Sequence, residues 1–354
     1  MLMKTLATIL LASCALSAQA NGFTDPLDTA AASAQRLTQS PLLAICNAGS
    51  RPIAVGLRGL IVYSENHGQS WQQASSPVST DLVAVDFVTP KQGWASGHDG
   101  VVLHSTDGGK TWTRQLDGRQ LSKLIVSAYE QRVKAGDAAA EIYLKQARDI
   151  ARDGTALALL GIHFIDEQRG YVVGSFGLLI GTNDGGKSWQ PMLQLIDNPQ
   201  GLHLNAIRGQ GDALYIAAEH GTVFRMDHSS GRFLPSQTSY AGSFLDLASD
   251  GASVLAYGLR GHAFRSEDAG ISWQEIVTGL DSSITAGTPV DGGFVLLSQG
   301  GRAILSTDNG HTFSPLPLKN ADLFSGIVSV GNNQFVAVGL SGITRLDTTS
   351  QATH

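Results

Sequence analysis

The chain has 354 residues, enough for one or two large cores, and its 41 glycines and 15% charged residues describe many turns and short strands rather than a helical enzyme. The formal charge of -6 comes with no basic stripe, so binding to a nucleic-acid backbone has no electrostatic support.

The first residues read as an export signal. Lys4 supplies a short positive region, Leu6 to Leu16 is apolar but too short to span a bilayer, and Ala18-Gln19-Ala20 offers a small-x-small cleavage site. Cleavage there starts the mature chain at Asn21 and makes residues 1–20 a signal peptide. Leu11-Ala12-Ser13-Cys14 also fits a lipoprotein box, with Cys14 as the lipidated terminus. Either route leads to the periplasm. After cleavage at Ala20 the one remaining cysteine is Cys46, which excludes an internal disulfide and reads as a small buried apolar residue.

From Leu42 onward one pattern recurs seven times: an apolar run ending in a small residue, a turn closed by glycine, a second apolar run, then usually Ser/Thr-x-Asp-x-Gly-x-Thr-Trp. The closing glycines are Gly59, Gly100, Gly177, Gly221, Gly261, Gly301 and Gly342, with successive steps of 41, 77, 44, 40, 40 and 41. A period near 40 with four short strands per repeat is the mark of a propeller blade. The expected fold is therefore all-β, a single seven-bladed β-propeller over 21–354. Each Asp box, with Asp107, Asp184, Asp268 or Asp308, reads as a staple for the turn between a blade's third and fourth strands, its carboxylate taking nearby amide protons. The box aromatics, Trp71, Trp112, Trp189, Trp273 and Phe313, are expected to pack between blades.

The 77-residue step is one period plus an insertion, 119–154. Leu121, Leu124, Ile125, Ala128 and Tyr129 follow helical spacing, Gly136 can end that helix, and Asp137 can cap a second one striped by Tyr143, Ala147, Ile150 and Ala151. The reading is a helical hairpin between blades two and three. A four-stranded meander puts this connection on the rim that carries the glycine-closed turns, opposite the Asp boxes. The seventh repeat stops before an Asp box, so the segment between Phe23 and Gln39 is expected to supply its fourth strand.

Loops on a rigid scaffold tend to carry binding residues. A purely structural turn would favour Asn-Gly at every blade, yet these turns hold Arg58, His98, Asp99, Phe176, Glu219, His220 and Arg260. Those seven are the candidate partner-binding residues. No nucleophile pairs with an acid on this rim, the ten histidines lack the close spacing of a zinc site, and the glycine turns lack the strand-to-helix setting of a phosphate loop. No catalytic residue, metal or small-molecule cofactor is expected.

The blade phrases GHDGVVLHSTDGGKTW and GSFGLLIGTNDGGKSW resemble the BNR/Asp-box propellers of the photosystem II stability and assembly factor-like family, over roughly Leu42 to Leu346. The helical hairpin is similar to the family's non-photosynthetic bacterial branch, whose genes often neighbour those of RND-type exporters. The resemblance implies a non-enzymatic assembly factor whose partner is a membrane-protein complex, or its subunits, in the cell envelope. It also implies an arginine-rich binding patch, to which Arg58 and Arg260 alone lie at suitable turns. The rival reading is an Asp-box glycoside hydrolase of the sialidase kind. Arg51-Pro52-Ile53 faintly resembles a sialidase arginine motif, but sialidases are six-bladed, and Tyr63, Tyr171 and Tyr257 fall inside strand runs.

Overall fold

The computed structural model describes residues 24–152, 157–318 and 321–347. The leader 1–20, Cys14 and the end of the insertion at Gly154 lie outside them. Seven antiparallel sheets follow one another along the chain, six of four strands and the last of three. Their first strands are Leu42–Ala48, Leu82–Phe87, Leu159–Phe164, Leu204–Gln210, Phe244–Ser249, Ile284–Val290 and Phe324–Gly331. These seven strands meet around a central channel. The seven-bladed propeller read from the period is the fold.

Side chains on the first strands stitch neighbouring blades together. Asn205 donates to the Phe244 carbonyl at 2.7 Å, Thr285 to that of Phe324 at 2.6 Å, and Ser325 to that of Leu42 at 2.8 Å. The last of these joins blade seven to blade one, and Asn47 donates back across the same seam to Ser329 at 2.8 Å. Such bonds satisfy carbonyls buried where two sheets abut, which would otherwise weaken the ring.

The Asp boxes are staples. Asp107 takes the amides of Lys110 and Thr111 at 3.0 Å and the Thr111 hydroxyl at 2.7 Å, while the Ser105 hydroxyl accepts from the Gly109 amide at 2.9 Å. Hydroxyl and amide donors of this kind, from Ser188 and Ser272, hold Asp184 and Asp268 down to about 2. A carboxylate so depressed is a poor proton carrier near neutral pH, which removes these residues as general acids. The boxes also lock blade to blade. A Cβ on Gly109 would meet Ile53 of the preceding blade, and one on Gly68 would meet Val336 of blade seven. Trp112 is buried and sets its edge against Phe87 at 5.8 Å and 87°.

The insertion forms α1, Gly118–Lys134, and α2, Ala140–Arg152. Asp117 caps α1 by accepting from Arg119 and Gln120, and the helix buries Leu121, Ile125 and Tyr129. Tyr129 fixes the hairpin to blade three, its hydroxyl taking the Leu193 amide at 2.9 Å and donating to Gln194 at 2.6 Å. Gly136 sits at φ +90 after α1, as its place in the sequence suggests. Asp137, expected to cap α2, instead holds Arg132 at 2.7 Å, so its side chain ties the two helices' junction back to α1.

Closure differs from the expectation. Residues 24–39 form no strand, and blade seven has three strands among the described residues. The segment is a strap along the rim. Ser79 donates to the Pro26 carbonyl at 2.8 Å, Ala31 to that of Ser76 at 3.2 Å, and Ala34 to the Gln73 side chain at 2.8 Å. Leu27 is buried between blades one and two, and Asp28 pairs with Arg119 of α1 at 2.8 Å. At the other end Thr38 and Gln39 press on Gly342 of blade seven. A strand needs alternating apolar side chains. Between Thr24 and Pro41 the only bulky ones are Leu27 and Leu37, so the segment bridges blades two, one and seven without extending a sheet.

Candidate functional site

The turns on the strap-bearing rim share an unusual backbone. Arg58, Asp99, Phe176, His220 and Arg260 all sit in the left-handed region, at φ 56, 56, 59, 53 and 57. Asparagine and glycine take this conformation readily, whereas a bulky side chain costs about 1–2 kcal/mol. Local backbone economy therefore does not explain a phenylalanine or arginine at these positions, and strain of this kind collects at functional sites. Phe176→Asn is expected to stabilise the fold by about 1 kcal/mol, read by urea denaturation, while removing an exposed aromatic from the rim. Unchanged or lower stability would show that the ring's contact with His203, at 5.1 Å, outweighs the strain.

The seven candidates divide by what they touch. Asp99 accepts from the Thr80 hydroxyl at 2.5 Å and Glu219 from the His203 amide at 2.8 Å, so both brace their turns against the incoming connection. The side chains of Arg58, His98, His220 and Arg260 make no hydrogen bond or ion pair among the described residues. Phe176 is 42% exposed. The pairs His98-Asp99 and Glu219-His220 do not meet across the channel; each stays with its own blade.

More informative is where apolar surface is left uncovered. The exposed large hydrophobic residues are Ile142, Phe176, Leu259, Ile271, Val277, Leu323 and Leu340. Six lie on the rim of turns and blade connections, and Ile271 alone lies in an Asp box on the opposite face. Among the described residues most of the exposed large apolar side chains therefore sit on one rim. The hairpin adds a trough to it. Ile142, Tyr143 and Gln146 of α2 face Phe176 and the segment Asp197–Gly201 across a cavity of about 590 Å³ floored by Leu193 and Ile196. Asn198 holds that far wall in shape, exchanging two 3.0 Å bonds with the Leu202 backbone. The apolar Ile142, off the buried stripe of α2 and 68% exposed, was the available sequence signal.

The channel holds a second polar group that the turns did not announce. Asp86 pairs with His163 at 3.1 Å and takes the Phe164 amide at 2.8 Å; Arg208 pairs with Asp246 at 2.8 Å. Burial works against the Asp86 charge, but His163, the Phe164 amide and Arg208 outweigh it and hold the carboxyl below its usual range. The Cys46 thiol and Tyr257 hydroxyl are pushed up by burial, so neither is an activated nucleophile. Among the described residues no three His, Cys, Asp or Glu side chains converge as a metal site would require. The sialidase motif is also engaged elsewhere: Arg51 is clamped by Glu65 at 2.9 Å and by the Gly108 carbonyl at 3.0 Å.

Comparison with known proteins agrees with this architecture. The chain is 23% identical over 243 residues to the photosystem II assembly lipoprotein Ycf48 of Synechococcus sp. (strain CC9902), covering 64% of this chain and 72% of that one. It is 26% identical over 166 residues to the Ycf48 assembly protein of Synechococcus sp. (strain JA-2-3B'a(2-13)), covering 44% of this chain and 49% of that one. Among solved structures, YCF48 bound to D1 peptide superposes with a TM-score of 0.63 at 16% identity over 90% of this chain and 99% of that one. YCF48 from Cyanidioschyzon merolae gives 0.64 at 17% identity over 89% and 97%. The family profile for the photosynthesis system II assembly factor YCF48 matches residues 46–143 and 140–313, and with the repeated Asp-box blades this places the chain in that family.

Proposed function

We propose that this protein is a non-enzymatic scaffold that holds a segment of an envelope membrane protein while its complex is assembled, acting in the periplasm and serving an RND-type exporter. The observation that carries the reading is the asymmetry of the two faces. The Asp-box face closes its polar groups on itself and exposes one large apolar side chain, Ile271, whereas the opposite rim leaves six uncovered among the described residues. The relatives support the kind of partner: they are named as assembly proteins, and one was solved with a peptide of D1. In the channel the Cys46 thiol and the Tyr257 hydroxyl are held protonated by burial, so the Asp86–His163 pair has no activated nucleophile beside it among the described residues.

The test is site-specific photocrosslinking in the native envelope. A photoreactive residue at Leu259 or Leu340 is expected to yield an adduct with an integral membrane protein, and one at Ile271 is not. With the photoreactive residue at Leu259, Leu323→Asp together with Leu340→Asp should lower the adduct about tenfold at unchanged melting temperature, since both side chains are exposed. Equal adducts from Ile271, or adducts with soluble proteins alone, would overturn the reading.

A further inference from the structure

We propose that the trough between α2 and the segment Asp197–Gly201 is a peptide-binding site that takes an apolar side chain next to a carboxylate. This rests on the scaffold reading above and names the chemistry its partner must present. At about 590 Å³ the trough falls within the ~300–1,000 Å³ typical of ligand sites, and Ile142, Tyr143 and Phe176 supply apolar walls for an aliphatic or aromatic anchor.

Charge selects the neighbouring group. Four charged side chains line the trough besides its polar walls: Lys145, Asp149, Asp197 and Arg232. Asp149 is already paired with Arg152 at 2.5 Å. Among the described residues Lys145, Asp197 and Arg232 have no ion pair, so one positive charge remains uncompensated. Arg232 points to where that charge is needed: it lines the trough half-buried, and its guanidinium has no hydrogen bond or ion pair among the described residues. A guanidinium on a partly desolvated wall is stabilised by an acceptor that arrives there, and a carboxylate is the acceptor that its planar fork fits best.

The site is also prepared in advance. Asn198 fixes the wall through its paired bonds to Leu202, and Gly177 lets the Phe176 turn approach Asn198, since a Cβ there would come within 2.6 Å of Nδ2. A rigid wall lowers the ordering cost of binding. The trough opens onto the same apolar rim, so a chain held there stays in contact with the rest of that face. That continuity favours an extended segment of a larger partner over an isolated small molecule.

A random-peptide library displayed on phage and selected on the full propeller tests this directly. The selected consensus should place Asp or Glu within two residues of Leu, Ile or Phe. Its synthetic, fluorescein-labelled version should bind about tenfold more weakly to Ile142→Asp and to Arg232→Gln, by fluorescence anisotropy. Replacing the peptide's acidic residue by its amide should weaken binding to the unmodified protein and make little further difference to Arg232→Gln. Where Arg232→Gln lowers the melting temperature, Lys145→Gln takes its place. Failure to select binders, a consensus without acidic residues, or binding indifferent to these substitutions would each overturn the proposal. If the Leu259 and Leu340 crosslinks persist in that case, the trough fails alone; if they vanish as well, the scaffold reading fails with it.

Discussion

Trp94→Ala is expected to destabilise the protein by about 3–5 kcal/mol, the range for removing a large aromatic from a core. Trp94 lies in the second strand of blade two, Gly93–Gly97, and is 1% exposed. Its indole stacks on Phe164 of blade three at 3.5 Å and 6°, and on its other face lies His104 at 4.7 Å and 17°. Trp189 meets the edge of Phe164 at 6.1 Å and 89°, so the stack continues into the Asp box of blade three. These rings hold together the two blades that the hairpin separates in sequence. The indole Nε1 has no hydrogen-bond partner, so Trp94→Phe should cost less than half as much: it loses area but also removes a buried orphan donor. Urea denaturation followed by circular dichroism distinguishes the two. Comparable losses for Ala and Phe would mean that the contact area of the stack does not set the blade-two to blade-three contact.

The parts of this fold that were legible in sequence are those fixed by a repeated local requirement. Each blade needs its closing glycine, and four of them an Asp-box carboxylate, for reasons internal to a few residues, so Gly59 to Gly342 and Asp107 to Asp308 recur in register. The helices were legible because their buried stripe keeps one period, although Leu144 was absent from the predicted stripe and Asp137 from its predicted role. What stayed hidden depends on residues distant in sequence. The strap at 24–39 carries no alternation because its bonds go to Ser76, Ser79 and Gln73 rather than to a partner strand. Asp86, His163, Arg208 and Asp246 each look ordinary in their own strand and gain meaning only when seven first strands converge.

The turn positions were legible, but not what their side chains touch. Asp99 and Glu219 turn inward to brace the blade connections, while the side chains of Arg58, His98, His220 and Arg260 make no hydrogen bond or ion pair among the described residues and Phe176 stays exposed. Ile142 was missed because a single off-stripe apolar residue is common on helices and becomes informative only beside Phe176. The positive φ values shared by five of the seven candidates could not be read from residue identity, since arginine and phenylalanine rarely adopt them.

Gly100→Ala is expected to cost about 3 kcal/mol and to loosen the hairpin, whereas Gly136→Ala should cost about 1 kcal/mol. Both glycines have positive φ, at 65 and 90, so both substitutions carry the left-handed penalty of an L side chain. They differ in surroundings. A Cβ on Gly136 meets nothing within 4 Å, while one on Gly100 would lie 2.6 Å from the Gly118 Cα and 2.8 Å from its nitrogen. Those are backbone atoms at the first residue of α1, which cannot rotate aside as a side chain can. The Gly100 amide also donates to the Leu157 carbonyl at 2.7 Å, just after the insertion, so this turn touches both ends of the hairpin. Displacing Gly118 moves α1 and, through the Leu121, Ile125 and Tyr129 face it buries, the α2 wall of the trough. Amide hydrogen exchange should therefore rise across α1 and α2 in Gly100→Ala and remain at the original level in blades five to seven. If the two glycine variants lose equal stability and leave helix protection unchanged, the hairpin is seated by its apolar face alone, and the close approach of the blade-two turn does not position α1 and α2.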